Sequence, residues 1–368
     1  MFVVKNLKNF IYIIHLIQVV GVFLVLGCST TISKEPPIIF SSNQNGNFDI
    51  FSIDSDGQNL QAITDDLEDE FSPKVSSDSS HIVFLKNFNG IQSIYLLNNN
   101  DLEGKNYVDL FVGGPYNLSS QIWSPDGEKI VYASDSGPSI YVMGIDESEP
   151  LKLTSIPGYE VGDWSIDGKS IFFSSDIEGI QGIYVRNPDG VNENRLIDFN
   201  AFSPKLSPDG EKLIFLSNQG DFTGLYIADY DDENFSLKPI ETNSQWYKKV
   251  FGNSVHSETT DYKRIELPDD ISRISNISWG PKSEKILFVS GLGEDSEIYV
   301  VNIKKNNKVV RLTRNNVRDD QPVWSPNGRK IAFVSYLDGD SEIFVMRPDG
   351  TEQNRVTNNL YDDYDPDW

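Results

Sequence analysis

From Ile38 onward, apolar residues fall at every second position in short runs, and each run ends in a cluster of Gly, Asp, Asn, Ser or Pro. The clearest runs set an aliphatic residue two places before an aromatic one: Ile38/Phe40, Ile82/Phe84, Ile130/Tyr132, Ile171/Phe173, Leu213/Phe215, Ile286/Phe288 and Ile331/Phe333. Period two with β-branched and aromatic side chains predicts a strand. A polar loop follows each run, and then a second strand marked by Ile50-Phe51, Ile94-Tyr95, Ile140-Tyr141, Ile183-Tyr184, Leu225-Tyr226, Ile298-Tyr299 and Ile343-Phe344. A further short strand ends near Ile63-Thr64, Leu153-Thr154, Leu312-Thr313 or Val356-Thr357. No stretch after residue 28 repeats apolar residues at helical spacing.

Before most aliphatic–aromatic runs stands a turn: WSPDG from Trp123, WSIDG from Trp164, LSPDG from Leu206 and WSPNG from Trp324. Proline presets φ at the first corner, Asp or Asn tolerates the second, and glycine takes the position of positive φ. Val75 to Ser79 and Trp279 to Ser283 are degenerate copies without that glycine, which predicts looser or differently shaped turns. The strand before each turn completes a unit of four antiparallel strands in roughly 42 to 48 residues, the length of a β-propeller blade.

The position before the turn is Val75, Trp123, Trp164, Leu206, Trp279, Trp324 and finally Trp368, the last residue. The unit at Trp368 has only its first strand. The other three stand at the opposite end of the repeat, from Ile38 to Thr64, so the two ends are expected to build one blade together. The fold class expected is all-β: a seven-bladed propeller over 38–368, six or eight blades being the alternatives. The gap from Leu206 to Trp279 is too long for one unit and too short for two, which predicts an insertion at about 241–275, read as an extended hairpin.

The order WSPDG, I-x-F, loop, E-I-Y-V-M, turn, L-T resembles the repeat of TolB-type propellers, with Ser341 to Met346 and Pro348 to Thr351 a close copy. The resemblance covers about residues 36 to 368. It implies the propeller fold and says little of function, because one fold hosts many activities. The TolB family's propeller is six-bladed and follows a separate α/β domain, for which the short stretch after Cys28 leaves no room. Oligogalacturonate lyases with TolB-like propellers depend on clustered histidines around a metal. Peptidases with such propellers carry their Ser-His-Asp set on an added domain.

The first 27 residues read as an address. Lys5 and Lys8 precede an apolar run from Phe10 to Gly27, and Val25-Leu26-Gly27-Cys28 resembles a bacterial lipobox. The expectation is a signal peptide over 1–27, lipidation of Cys28, and a short linker over 28–37. That places the chain in the bacterial cell envelope, outside the cytoplasm. An uncleaved transmembrane anchor is the alternative.

Composition then narrows the chemistry. With 55 acidic and 31 basic residues the chain carries −24, which argues against nucleic acid. Aromatics at 12% argue for a packed core. Cys28 is the sole cysteine and only His15, His81 and His256 are present, so cysteine-based zinc sites and histidine clusters are excluded. The nearest string to a nucleophile elbow, Gly252 to His256, lacks its final glycine. Asp54-Ser55-Asp56-Gly57 and Asp338-Gly339-Asp340 read as turns rather than calcium loops.

The loops before the tryptophan position are expected on one face, at the channel mouth. They carry Asp69, Glu70, Tyr159, Glu160, Asp319, Asp320, Asp362 and Asp363, the candidate binding residues. Focused carboxylates attract cations or basic peptide segments, and oxygen ligands at that density suit Ca²⁺. No catalytic set is found, and no cofactor is expected beyond that calcium. The functional expectation is a monomeric, lipid-anchored propeller that binds a protein or peptide partner of the envelope through its acidic mouth. The alternative is a carbohydrate or small-ligand sensor, or a carboxylate-based polysaccharide enzyme.

Overall fold

Each aliphatic–aromatic run is the second strand of an antiparallel blade sheet; among the described residues there are seven such sheets, six of four strands and one, the fifth blade, of five. A computed structural model describes residues 35–99, 107–112, 118–134, 139–146, 149–154, 158–177, 179–218, 223–234, 236–238, 240–241, 259–260, 262–337 and 339–368. The expected signal peptide, Cys28, Gly252 to His256, Asp338 and most of the expected insertion lie outside the described residues.

The two aromatic columns face each other across neighbouring strands. Phe40 pairs with Phe51, Phe84 with Tyr95, Tyr132 with Tyr141, Phe173 with Tyr184, Phe215 with Tyr226, Phe288 with Tyr299 and Phe333 with Phe344. Ring centroids in these pairs are 5.4 to 5.9 Å apart, the range in which aromatic contact adds to burial.

The blades bury their faces on one another. Val131, Ala133, Ile140 and Val142 of the third blade meet Trp164, Ile171, Phe173 and Tyr184 of the fourth. The junction of the seventh blade with the first is built the same way, from Ala332, Val334, Ile343 and Val345 against Ile38, Phe40, Phe51 and Ile53. Ile39 and Ile50 then meet Ile82 and Phe84 of the second blade. The first blade is the composite one: the C-terminal strand Asp363–Asp367 pairs with Ile38–Ser42, matching Ile39 to Asp367 and Ser42 to Asp363. The ring therefore closes on a strand from the far end of the chain.

Local hydrogen bonds explain the recurring polar letters. In the turns, Ser124, Ser165 and Ser207 hydroxyls donate to Asp126, Asp167 and Asp209 at 2.6, 2.7 and 2.5 Å. Those carboxylates then accept from the backbone of Glu128, Lys169 and Glu211. The threonine of the L-T pair caps the third strand of its blade: Thr64, Thr154, Thr313 and Thr357 accept from the N–H of Ile50, Ile140, Ile298 and Ile343.

The degenerate turns correct the expectation of looser geometry. Ser79 N donates to Ser76 O at 2.8 Å and Ser283 N to Gly280 O at 3.0 Å, the closure seen at Gly127 and Gly328. Ser79 and Ser283 adopt the glycine conformation, with φ of 58° and 54°. The flanking strands dictate the turn, and the serine bears a strain of about 1–2 kcal/mol. Ser79→Gly is expected to stabilise the protein by about 0.5–1 kcal/mol after glycine's extra chain entropy is subtracted. The check is a higher urea midpoint at unchanged slope; a lower midpoint would show that the turn is not strained.

The long gap falls inside the outer strand of the fifth blade. Ser236–Lys238 pairs with Asp229 to Asp231, and Lys263–Arg264 pairs with Tyr226 and Ile227 of the same strand. The two together make one interrupted outer strand. Ile240–Glu241 and Thr259–Thr260 pair at the base of the inserted segment. Beyond Lys263 the chain rejoins the blade, since Ile265 N donates to Leu225 O as Leu153 N does to Ile140 O.

Candidate functional site

The innermost strands line a channel with a cavity of about 1050 Å³. Its wall includes Lys74, Asp163, Lys205, Asp365 and Asp367, and it reaches Ser77, Pro125, Ile166 and Pro208 in the turns of the tryptophan side. The inner edge of these strands has no further strand to pair with, so its N–H groups need other acceptors. Neighbouring blades supply carboxylates. Val75 N donates to Asp367 at 2.8 Å, Leu206 N to Asp163 at 3.1 Å and Ser72 N to Asp365 at 3.2 Å. Most channel strands carry a bulge with a left-handed residue, namely Ser72, Ser120, Ser203, Asn276, Gln321 and Asp365. In the fourth blade Gly162 stands nearby instead, and a Cβ there would meet Pro204 O at 2.3 Å. Tryptophans tie the ring on the same side: Trp123, Trp164 and Trp279 indoles donate to Lys74, Ile122 and Lys205 carbonyls of the preceding blade.

Of the sequence-derived candidates, Glu160 reaches this cavity, and its carboxylate accepts from Ser203 N and Oγ at 2.9 to 3.1 Å. Both oxygens are thus committed to holding the fifth blade, which suits Glu160 poorly for acid–base work. Tyr159 lies in the strand Gly158–Trp164; its side chain is outside the described residues. Of the other six, Asp69, Glu70, Asp319, Asp320 and Asp363 begin innermost strands, and Asp362 directly precedes one. Asp69 is exposed and accepts from Phe48 N. Asp320 is half-buried, paired with Arg318 at 2.7 Å and bonded to Asn276. Asp362 accepts from Ser341 N and Oγ.

Glu70, Asp319 and Asp363 are fully buried. Burial pushes Asp319 above the ordinary carboxylate range. It pushes Asp363 up to about 6, against the pull of Ser42, Thr357 and Asn359. Glu70 is pushed up to about 8 by burial and by Asp66, although Lys86 pulls it down. Lys86 lies 3.0 Å from Glu70, bonds Asp66, and sits over the rings of Tyr95 and Tyr107 at 5.5 and 5.1 Å. The ammonium holds Asp66 well below its usual range despite burial. The spacing that could have revealed these acids is an amide or acid four residues before each: Asp66/Glu70, Asn315/Asp319 and Asn359/Asp363.

The loops that lead into these innermost strands expose apolar side chains that the sequence reading missed. Leu67 and Leu360 are 93% and 90% exposed, at equivalent places three residues after Thr64 and Thr357. Tyr361 beside Leu360 is exposed too, as are Phe88 in the second blade and Leu337 in the seventh, on strand connections at this end. Among the described residues, no group of three or more His, Cys, Asp or Glu side chains is placed to hold a metal ion, and no helix is long and apolar enough to cross a membrane. Asp54 to Gly57 forms a turn closed by Gly57 N to Asp54 O at 2.8 Å.

A family model described as PD40, TolB beta propeller domain, matches residues 37–244 and 271–368, and its break falls at the interrupted fifth blade. The Tol-Pal system protein TolB of Francisella tularensis subsp. tularensis (strain WY96-3418) is 26% identical over 272 residues, covering 64% of this chain and 60% of that protein. The chain thus spans about three fifths of the length of the curated relatives it matches. TolB from Acinetobacter baumannii aligns over 90% of this chain and 66% of that one, at 16% identity and a TM-score of 0.53. An oligogalacturonate lyase from Vibrio parahaemolyticus aligns over 85% and 86% of the two chains, at 13% identity and a TM-score of 0.60. These two structures share the fold. On its repeat, its blades and the match over both stretches of the ring, the chain belongs to the TolB β-propeller domain family.

Proposed function

We propose that the chain is a non-enzymatic protein-binding module of the bacterial cell envelope, held to a membrane through lipidated Cys28, whose acidic loop face takes a basic, partly apolar segment of a partner protein. The observation that carries this reading is the pairing of exposed Leu67 and Leu360 on adjacent loops with Glu68, Asp69 and Asp362 beside them. Exposed apolar side chains rimmed by charge mark interaction sites. Carboxylates around them favour a basic partner and speed its approach. The curated relatives' name places those proteins in a Tol-Pal system, which supports an envelope partner here.

The test is capture from envelope extract by the wild-type chain and by a Leu67→Ser, Leu360→Ser, Asp69→Asn variant. Buried Asp319 and Asp363 are left intact so that folding is not confounded. Loss of about 3 kcal/mol or more of contact energy at such a patch corresponds to recovery lowered over a hundredfold. Equal recovery by the two proteins would remove the loop face from the proposal.

A further inference from the structure

Three consecutive blade junctions use the same five positions. Between the first and second blades they are Asp49, Thr64, Asp66, Glu70 and Lys86. Between the sixth and seventh they are Glu297, Thr313, Asn315, Asp319 and Ser335. Between the seventh and first they are Glu342, Thr357, Asn359, Asp363 and Ser42. The backbone fixes the equivalence. Glu70, Asp319 and Asp363 N–H groups donate to Phe48, Ser296 and Ser341 carbonyls at 2.6, 2.9 and 2.9 Å. The same three acids are register partners of Lys86, Ser335 and Ser42.

At the first of these junctions Lys86 sets an ammonium among the acids. At the other two a serine stands in its place and the acids remain. Glu342 Oε1 is satisfied by Arg355 and by Asn359 N, and Asp363 Oδ2 by Asn359 Nδ2 at 2.9 Å. Glu342 Oε2 is buried without a hydrogen-bond partner, and Asp363 Oδ1 has no charged partner, only the hydroxyls of Ser42 and Thr357 beside it. Glu297 Oε2 and Asp319 Oδ1 repeat the arrangement. Arg355 and Arg311 each balance one carboxylate of their pair, which leaves one buried negative charge per junction. Such a charge is strongly unfavourable unless it is paired.

We propose that a small hard cation occupies the pocket of Glu342, Asp363 and Ser42, with the pocket of Glu297 and Asp319 as its twin, in the role that the Lys86 ammonium plays between the first two blades. All donors are oxygens, which suits calcium or sodium and not the metals that prefer nitrogen or sulfur. The ion would clamp the seventh blade to the composite first blade, where the two ends of the ring meet.

The test uses the full chain, stripped with chelator and melted in calcium, sodium or choline chloride at matched ionic strength. Calcium or sodium is expected to raise the melting temperature saturably, by about 3 °C per pocket at a hundredfold excess over Kd, and the responding salt names the ion. Ser42→Lys, which copies Lys86, is expected to fold and to cut the response by about half, leaving only the twin pocket; Ser42→Lys with Ser335→Lys abolishes it. Glu342→Gln with Glu297→Gln provides a second readout, folded and unresponsive. Equal melting of the wild type in all three salts overturns the proposal, as does a full response in the double lysine variant.

Discussion

Removal of Tyr364 to Trp368 is expected to abolish soluble folding. The segment is most of the innermost strand of the composite blade, and its loss leaves Ile38–Ser42 with an unpaired edge inside the channel. It also breaks contacts on both sides of the ring. Asp365 bonds Ser72 of the second blade and Gln321 of the seventh, Asp367 bonds Val75 N, and the Trp368 indole donates to Pro36 O at 2.9 Å. Trp368 is half-buried, so its truncation to alanine falls at the low end of the about 3–5 kcal/mol that a buried tryptophan is worth. The full deletion adds the strand pairing and two opened junctions, against a total stability of about 5–15 kcal/mol. The graded version is Trp368→Ala, which should leave a folded protein melting about 5 °C lower. A deletion protein that stays soluble with an unchanged melting temperature would show that closure does not depend on this strand.

The closure was legible because every blade repeats the same aromatic pair, so a missing strand at one end and a surplus strand at the other could be matched by counting. The all-β class and the seven blades followed from the same columns. The insertion's place inside an outer strand did not, because Ser236–Lys238 and Lys263–Arg264 are each too short to show a period. The candidate site was harder still. Asp362 and Asp363 are adjacent identical letters, yet one is half-buried and bonds Ser341 while the other is wholly buried. A strand turns successive side chains to opposite faces, so charge read along the chain says nothing of which carboxylate meets water. Register decides that, and register becomes visible only once the blades are assembled.

That burial sets the second large effect, a stability that falls as pH rises from about 5 to 8.5. Glu70 titrates near 8 in the folded chain against an ordinary value of 4.5, because burial disfavours its charge and Asp49 and Asp66 stand against it. Between those values the folded protein keeps a proton that the unfolded chain releases, so raising the pH favours unfolding. The contribution is whole below about 4.5 and gone above about 8. Asp49, raised by the same burial, acts in the same direction at lower pH. Asp66 has the opposite sign, but Lys86 and Tyr107 hold it so low that its contribution is lost only in acid. At about 1.4 kcal/mol per pKa unit, and allowing for relaxation around the charge, the fall is on the order of 4 kcal/mol, or about 5 °C in melting temperature. Glu70→Gln carries the amide donor that the protonated acid would offer to Asp49. It should match the wild type at pH 5 and exceed it at pH 8.5, removing most of the slope. A wild-type stability that is flat or rising over this range, or a variant that keeps the full slope, would show that Glu70 is ionised in the folded ring.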